Sequence, residues 1–260
     1  MINKHFDAVA QKSAAVEWIR EWFEENGKGC NAIIGISGGK DSSVAAALCV
    51  EALGEDRVIG VLMPNGLQRD IHSAYERCEA LGIQHVRINI NYAVDGLYNA
   101  IDCNNQFPER MKVEVSEQTK LNLPPRIRMA TLYAISQSVN GRVCCTDNFS
   151  ESYIGYSTRW GDNVGDFAPL ASFTSEEVVA IGEACGLPKS LTQKIPEDGL
   201  TGKTDEDIFG FSYDELNSFI RLGVCQDPEN EDLIMAKHDK SKFKTKPIPC
   251  YHSFETVYRW

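Results

Sequence analysis

The stretch Ala32-Ile-Ile-Gly-Ile-Ser-Gly-Gly-Lys-Asp-Ser-Ser43 decides the fold. Ala32 to Ile36 is a short apolar run and reads as a parallel strand buried on both faces. It breaks at Ser37-Gly38-Gly39, and an Ala/Val/Leu-rich segment from about Ser42 to Leu53 predicts a helix. A tight glycine turn between strand and helix lets backbone N–H groups approach an anion, and the helix dipole favours negative charge there. The expected ligand is a polyphosphate.

The spacing rules out the commoner phosphate loops. In a G-x-x-x-x-G-K-[ST] loop read back from Gly39-Lys40, residue 34 is glycine and residue 41 carries a hydroxyl. Here they are Ile34 and Asp41, and the dinucleotide pattern G-x-G-x-x-G is not met either. Asp41 is the informative departure, because a carboxylate beside a pyrophosphate repels it unless a cation sits between them. Mg²⁺, held by one or two carboxylates plus phosphate oxygens, resolves that conflict. The segment resembles the PP-loop, S-G-G-x-D-S, of ATP pyrophosphatases, which cleave ATP between its α and β phosphates.

Outward from this loop, strands alternate with helices. An amphipathic helix is expected from His5 to Asn26, stopped at Gly27. Further strands are expected at Val58–Met63, His85–Ile90 and Arg142–Thr146, with helices over 68–82, Tyr92–Asp102, Thr174–Cys185, 212–222 and 227–240. A long helix from Ser116 is expected to break near Pro124-Pro125 and resume from Arg126 to Val139. Residues 103–115 and 192–210 read as polar loops, the second suited to a lid. The alternation predicts an α/β fold, a doubly wound, Rossmann-like parallel sheet with helices on both faces. Ligands bind such sheets beyond the carboxyl ends of the strands. The PP-loop, Pro64-Asn65-Gly66 and Thr146-Asp147-Asn148 all fall there.

Composition narrows the setting. With 260 residues the chain can bury a substantial core, and no internal repeat or second core is visible. The net charge of −11 argues against broad binding to nucleic acid. The nine cysteines form no C-x-x-C pair and read as reduced thiols. No signal-peptide core and no run of membrane-spanning length is present in the sequence, so a cytoplasmic protein without membrane contact is expected.

Past the PP-loop the residues become more specific. Asn122-Leu-Pro-Pro-Arg126-Ile-Arg128-Met129 resembles the N-x-x-x-R-x-R-M segment of ammonia-dependent NAD⁺ synthetases, whose fold is adenine nucleotide alpha-hydrolase-like. Thr146-Asp-Asn-Phe-Ser-Glu151 resembles their T-x-N/H-x-x-E segment, and Gly155, Arg159, Gly161-Asp162 and Asp166 follow at the family's offsets. Lys203-Thr-Asp-Glu206 and Gly210-Phe-Ser-Tyr213-Asp214 resemble a later loop-and-helix junction. The resemblance implies amidation of deamido-NAD⁺ with ammonia at the expense of ATP, through an acyl-adenylate, releasing AMP and diphosphate.

By matched position it implies an ATP site formed by Gly35, Ile36, Ser37, Gly38, Gly39, Lys40, Asp41, Ser42 and Thr146. Asp41 and Glu151 would hold Mg²⁺, while Arg126, Arg159, Asp166 and Lys244 would contact deamido-NAD⁺. No residue is implied as a covalent nucleophile; Asp41, Glu151 and Lys40 would position and stabilise charge. The same resemblance implies a single synthetase domain over 1–260 without an amidase domain, a homodimer, and free ammonia or a separate glutaminase as nitrogen source. Leu121, Leu123 and Met129 could serve either a dimer interface or the core.

Three positions depart from the family pattern: Ser175 replaces a lysine, Glu197 a threonine and Phe243 a histidine. Lys194 or Lys203 could supply lid groups instead. The rival readings are another PP-loop amidating or tRNA-modifying enzyme and a non-catalytic ATP-binding sensor on the same fold.

Overall fold

The computed structural model describes residues 6–68, 71–103, 114–192 and 204–251. Four strands, β1 (Asn31–Gly35), β2 (Val58–Leu62), β3 (Gln84–Arg87) and β4 (Gly141–Val143), form one sheet in the order β3-β2-β1-β4. Every pairing is parallel. An isolated parallel bridge from Cys144 to Phe167 extends the β4 edge. The central strand is buried on both sides: Ala32 and Ile34 enter one apolar cluster, and Ile33 enters the other.

The helices are α1 (Ala8–Asn26), α2 (Lys40–Leu53), α3 (Ile71–Ala80), α4 (Asn91–Asp102), α5 (Glu117–Ser138), α6 (Phe149–Ile154), α7 (Ser175–Ala184), α8 (Lys189–Thr192), α9 (Asp205–Phe209), α10 (Tyr213–Leu222) and α11 (Pro228–Ser241). The larger core lies where α1, α2, α3 and α7 cover the sheet, through Ile19, Phe23, Leu48, Ala74 and Ile181. On the opposite face α4 and α5 close over Ile33, Val61 and Met63 with Val94 and Leu123. A third cluster, with Ile154, Phe209, Phe211, Leu216 and Ile234, joins α6, α9, α10 and α11. Helices on both faces of a parallel sheet are the architecture the sequence predicts.

Boundaries moved at the edges. β3 begins one residue before the expected His85 and stops at Arg87, not Ile90, and all four of its residues are exposed. β4 stops at Val143, where the backbone leaves the strand to pair with Phe167.

The expected break at Pro124-Pro125 is corrected: α5 runs unbroken from Glu117 to Ser138. Pro124 has no N–H to give the Lys120 carbonyl four residues earlier. The Tyr98 hydroxyl of α4 donates to that carbonyl instead, at 3.2 Å. The stretch read as an irregular loop over 192–210 also contains α9, capped by Thr204 and Asp207. Residues 104–113 and 193–203, including Lys194, Glu197 and Lys203, lie outside the described residues.

Candidate active site

The order β3-β2-β1-β4 means that successive strands step away from β1 in one direction and then cross to its other side. The reversal lies between β1 and β4, and a crevice opens beyond their carboxyl ends at such a point. The PP-loop follows β1, and Thr146 to Glu151 follows β4.

The loop is built to receive an anion. Gly38 sits at φ 87°, and a Cβ there would meet the backbone nitrogen of Ala74 at 3.2 Å. Glycine therefore permits both the left-handed turn and the close approach of α3. Ser37 Oγ accepts from the Gly39 N–H and lies 3.2 Å from Ser42 Oγ, while Ser43 Oγ donates to the Gly39 carbonyl at 2.7 Å. Gly39 caps α2 without a side chain, so the first-turn N–H groups face outward with no side-chain cap. With the dipole of a 14-residue helix behind them, they form an anion cradle.

Acidic groups converge beside it. Asp41 Oδ2 accepts from the Lys40 ammonium at 2.7 Å, and Asp41 Oδ1 accepts from the Asn148 amide at 3.0 Å. Asn148 is also the N-cap of α6, in a capping box whose return partner is Glu151. One buried asparagine thus ties both carboxylates to one place across the two loops. Burial first, then the charge of Asp41, pushes the Glu151 carboxyl well above the usual carboxylate range. Burial, with Asp162 and Asp41, does the same to Asp147, whose Oδ2 is buried without a hydrogen-bond partner among the described residues.

Lys40 is buried, not solvent-facing. Burial alone would lower its pKa, but Asp41, Glu151 and Asp205 outweigh it and hold the ammonium charged. The Tyr213 ring lies 5.9 Å from that ammonium. Tyr213 and Tyr156 both donate to buried Asp205, at 3.2 and 3.0 Å. Asn148, Asp205 and Tyr213 lie within the matched segments but were given no site role from the sequence, and Tyr156 lies outside those segments. The N-x-x-E spacing from Asn148 to Glu151 was the available signal for one of them; the others meet through packing of the third cluster.

A second group of expected residues surrounds the loop after α6. Thr158 Oγ1 donates to Asn122 at 2.8 Å, and Arg126 Nε donates to the Arg159 carbonyl at 3.3 Å. The N-x-x-x-R-x-R-M segment is thereby joined to this loop. Arg128 turns the other way, donating to the Met63 carbonyl after β2. Asp166 and Lys244 are engaged with the chain itself. Asp166 accepts from the Val143 N–H at 2.8 Å and the Tyr133 hydroxyl at 3.3 Å, while Lys244 donates to the Gly155 and Ser157 carbonyls, each at 2.8 Å. Thr146 is half-buried at the start of the acidic loop.

Ser175, the first residue of α7, is buried and donates its N–H to Ser150 Oγ. Leu123 belongs to the core, whereas Leu121 is exposed.

The NAD synthase family model matches residues 11–249. The NH₃-dependent NAD⁺ synthetase of Pyrococcus furiosus is 37% identical over 201 residues, covering 77% of this chain and 74% of that one. The NH₃-dependent NAD⁺ synthetase of Alkaliphilus metalliredigens is 35% identical over 90% of this chain and 95% of its own length. Among solved structures, an NMN synthetase from Francisella tularensis superposes with a TM-score of 0.83 at 30% identity, covering 96% of this chain and 100% of that one.

Proposed function

The chain belongs to the NAD synthase family, and from that premise we propose that it is an ammonia-dependent ligase, a single synthetase domain amidating deamido-NAD⁺. The observation that carries the reading is the union of Asp41 and Glu151, from opposite sides of the sheet reversal, around Asn148 beside the anion cradle.

Two carboxylates are what Mg²⁺ asks of a protein when a nucleotide supplies further oxygens. The upward push on Glu151 comes partly from Asp41, so a cation between them relieves a repulsion already present in the fold. When bound, Mg²⁺ would neutralise phosphate charge as a Lewis acid.

Gly35, Ile36, Ser37, Gly38, Gly39 and Ser42 would cradle the phosphates of ATP, with Lys40 as a fixed positive charge and Thr146 at the nucleoside. The nicotinate carboxylate attacks the α-phosphorus, and diphosphate leaves along the cradle. Ammonia then attacks the mixed anhydride carbonyl and AMP departs. Burial pushes the Cys145 thiol up to about 12, and Cys144 well above its ordinary value, in keeping with transfer that uses no thiolate. Arg126 and Arg159 would bind the acceptor's anionic groups, while Asp166 and Lys244 would shape the loop that presents them.

The Francisella neighbour, named an NMN synthetase, supports a second reading in which the acceptor is the deamido mononucleotide. Both reduce to amidation of a nicotinate nucleotide. A cytoplasmic homodimer is proposed with either, ammonia arriving free or from a separate glutaminase. No helix among the described residues is long and apolar enough to cross a membrane.

The test incubates the protein with ATP, Mg²⁺, ammonium and each deamido nucleotide in turn, following AMP, diphosphate and the amide product. Ammonium-dependent NAD⁺ formation that disappears in Asp41→Ala supports the first reading. Amidation of the mononucleotide alone selects the second, and no AMP with either acceptor overturns both. A solution mass of about twice 28.9 kDa is expected for the dimer.

A further inference from the structure

Arg159 is held in an unusual way. Its guanidinium carbon lies 4.9 Å from the centre of the Trp160 ring and 5.4 Å from that of Phe243. Its Nε is buried and has no hydrogen-bond partner among the described residues. Aromatic faces hold a guanidinium through its charge and flat surface, leaving its in-plane N–H donors unspent. An arginine meant only to fasten the fold would direct those donors at carbonyls or carboxylates, as Arg221 does toward Glu177 and the Ser172 carbonyl.

Both rings are placed for this role. Phe243 lies in the 3-10 turn Lys242–Lys244 that follows α11. That turn is fastened to the loop after α6: Lys244 spans the Gly155 and Ser157 carbonyls, and Ser241 fills the space where any side chain at Gly155 would stand. One turn before, His238 stacks on Tyr153 at 4.2 Å and its Nδ1 lies 2.8 Å from the Tyr153 carbonyl. Trp160 adopts φ 62°, in the left-handed region that bulky residues avoid. Both rings remain about half exposed, at 46% for Trp160 and 52% for Phe243.

We propose that Phe243 is a positioning residue: with Trp160 it clamps the Arg159 guanidinium by its face and presents its N–H donors to the anionic part of the nucleotide acceptor. The inference rests on the reading of Arg159 as an acceptor contact. It gives the phenylalanine at this position a use, an aromatic face that carries no charge at any pH.

The test is steady-state kinetics of Phe243→Leu, Phe243→Tyr, Arg159→Ala and the Phe243→Leu/Arg159→Ala double variant. Each is run with ATP and the deamido nucleotide varied separately. Phe243→Leu should raise the acceptor KM about fivefold, the scale of one exposed cation–π contact, with the ATP KM unchanged. Phe243→Tyr should restore the acceptor KM, which a general packing role would not require. In the Arg159→Ala background, Phe243→Leu should add nothing. An unchanged acceptor KM in Phe243→Leu, or its full effect persisting without Arg159, overturns the proposal. An Arg159→Ala variant with unaltered acceptor KM instead overturns the reading of Arg159 on which it rests, whatever the Phe243 variants do.

Discussion

At the scale of single residues, the site carries more like charge than the protein alone can comfortably hold. Glu151 illustrates the cost: its folded pKa stands above its unfolded one, through burial and then Asp41. Stability from such a group is fully present while it is protonated and declines as pH rises through the unfolded value toward the folded one. The ligand-free protein should therefore melt higher at pH 5.5 than at pH 7.5 as far as this group governs. Glu151→Gln should raise the pH 7.5 melting temperature by about 2–4 °C, the equivalent of roughly 1 kcal/mol; on the proposed Mg²⁺-binding role it should also lower kcat/KM by about a hundredfold or more. Calorimetry and coupled assays check the two halves, and a variant that is both less stable and fully active refutes both. The cysteines offer a second residue-scale prediction. Burial lifts Cys78 and Cys185 to about 11 and Cys145 to about 12, whereas Cys103 and Cys250 are exposed. Since the thiolate is the reactive form, iodoacetamide at pH 8 should label Cys103 and Cys250 first, as peptide mass mapping would show.

At the scale of elements, α5 shows why part of the fold was hidden in the sequence. Pro124-Pro125 carries a strong local instruction to stop, but the Tyr98 hydroxyl occupies the carbonyl that Pro124 leaves unserved. Tyr98→Phe should destabilise the protein by about 1 kcal/mol, the net value of one such hydrogen bond, with little change in ATP affinity; denaturant titration measures it. An unchanged midpoint would show that the carbonyl finds water instead. What was legible follows from local pattern: the apolar run and glycine turn at 32–43, and the roles tied to contiguous motifs. The pairing of Asp41 with Glu151 was implied by the resemblance, whereas the strand order β3-β2-β1-β4 that brings their loops together came only with the structure. Asp205 and Tyr213 fell inside matched segments without an assigned role; they reach Lys40 only through the packing of Phe209, Phe211 and Leu216, which no local pattern reveals. Asp166 and Lys244 matched their motifs, yet their hydrogen bonds go to Val143, Tyr133, Gly155 and Ser157, partners that no spacing reveals.

At the scale of the whole molecule, the cores are unequal. The sheet lies between two apolar layers, whereas α6, α9, α10 and α11 share the smaller cluster around Phe209 and Ile234. Small clusters open at lower free energy than a central sheet. Hydrogen exchange should therefore be faster over 205–241 than over β1 and α2, and ATP with Mg²⁺ should slow it, since Tyr213 and Asp205 flank the Lys40 ammonium. Equal protection across both regions would refute this ordering. The hydrogen bond from Asn148 to Asp41 spans 107 positions of sequence. A nascent chain on the ribosome therefore displays its complete PP-loop long before it owns the partner carboxylate. On the proposed role of both acids, nucleotide capture that uses them together waits until Glu151 has left the exit tunnel and β4 has joined β1.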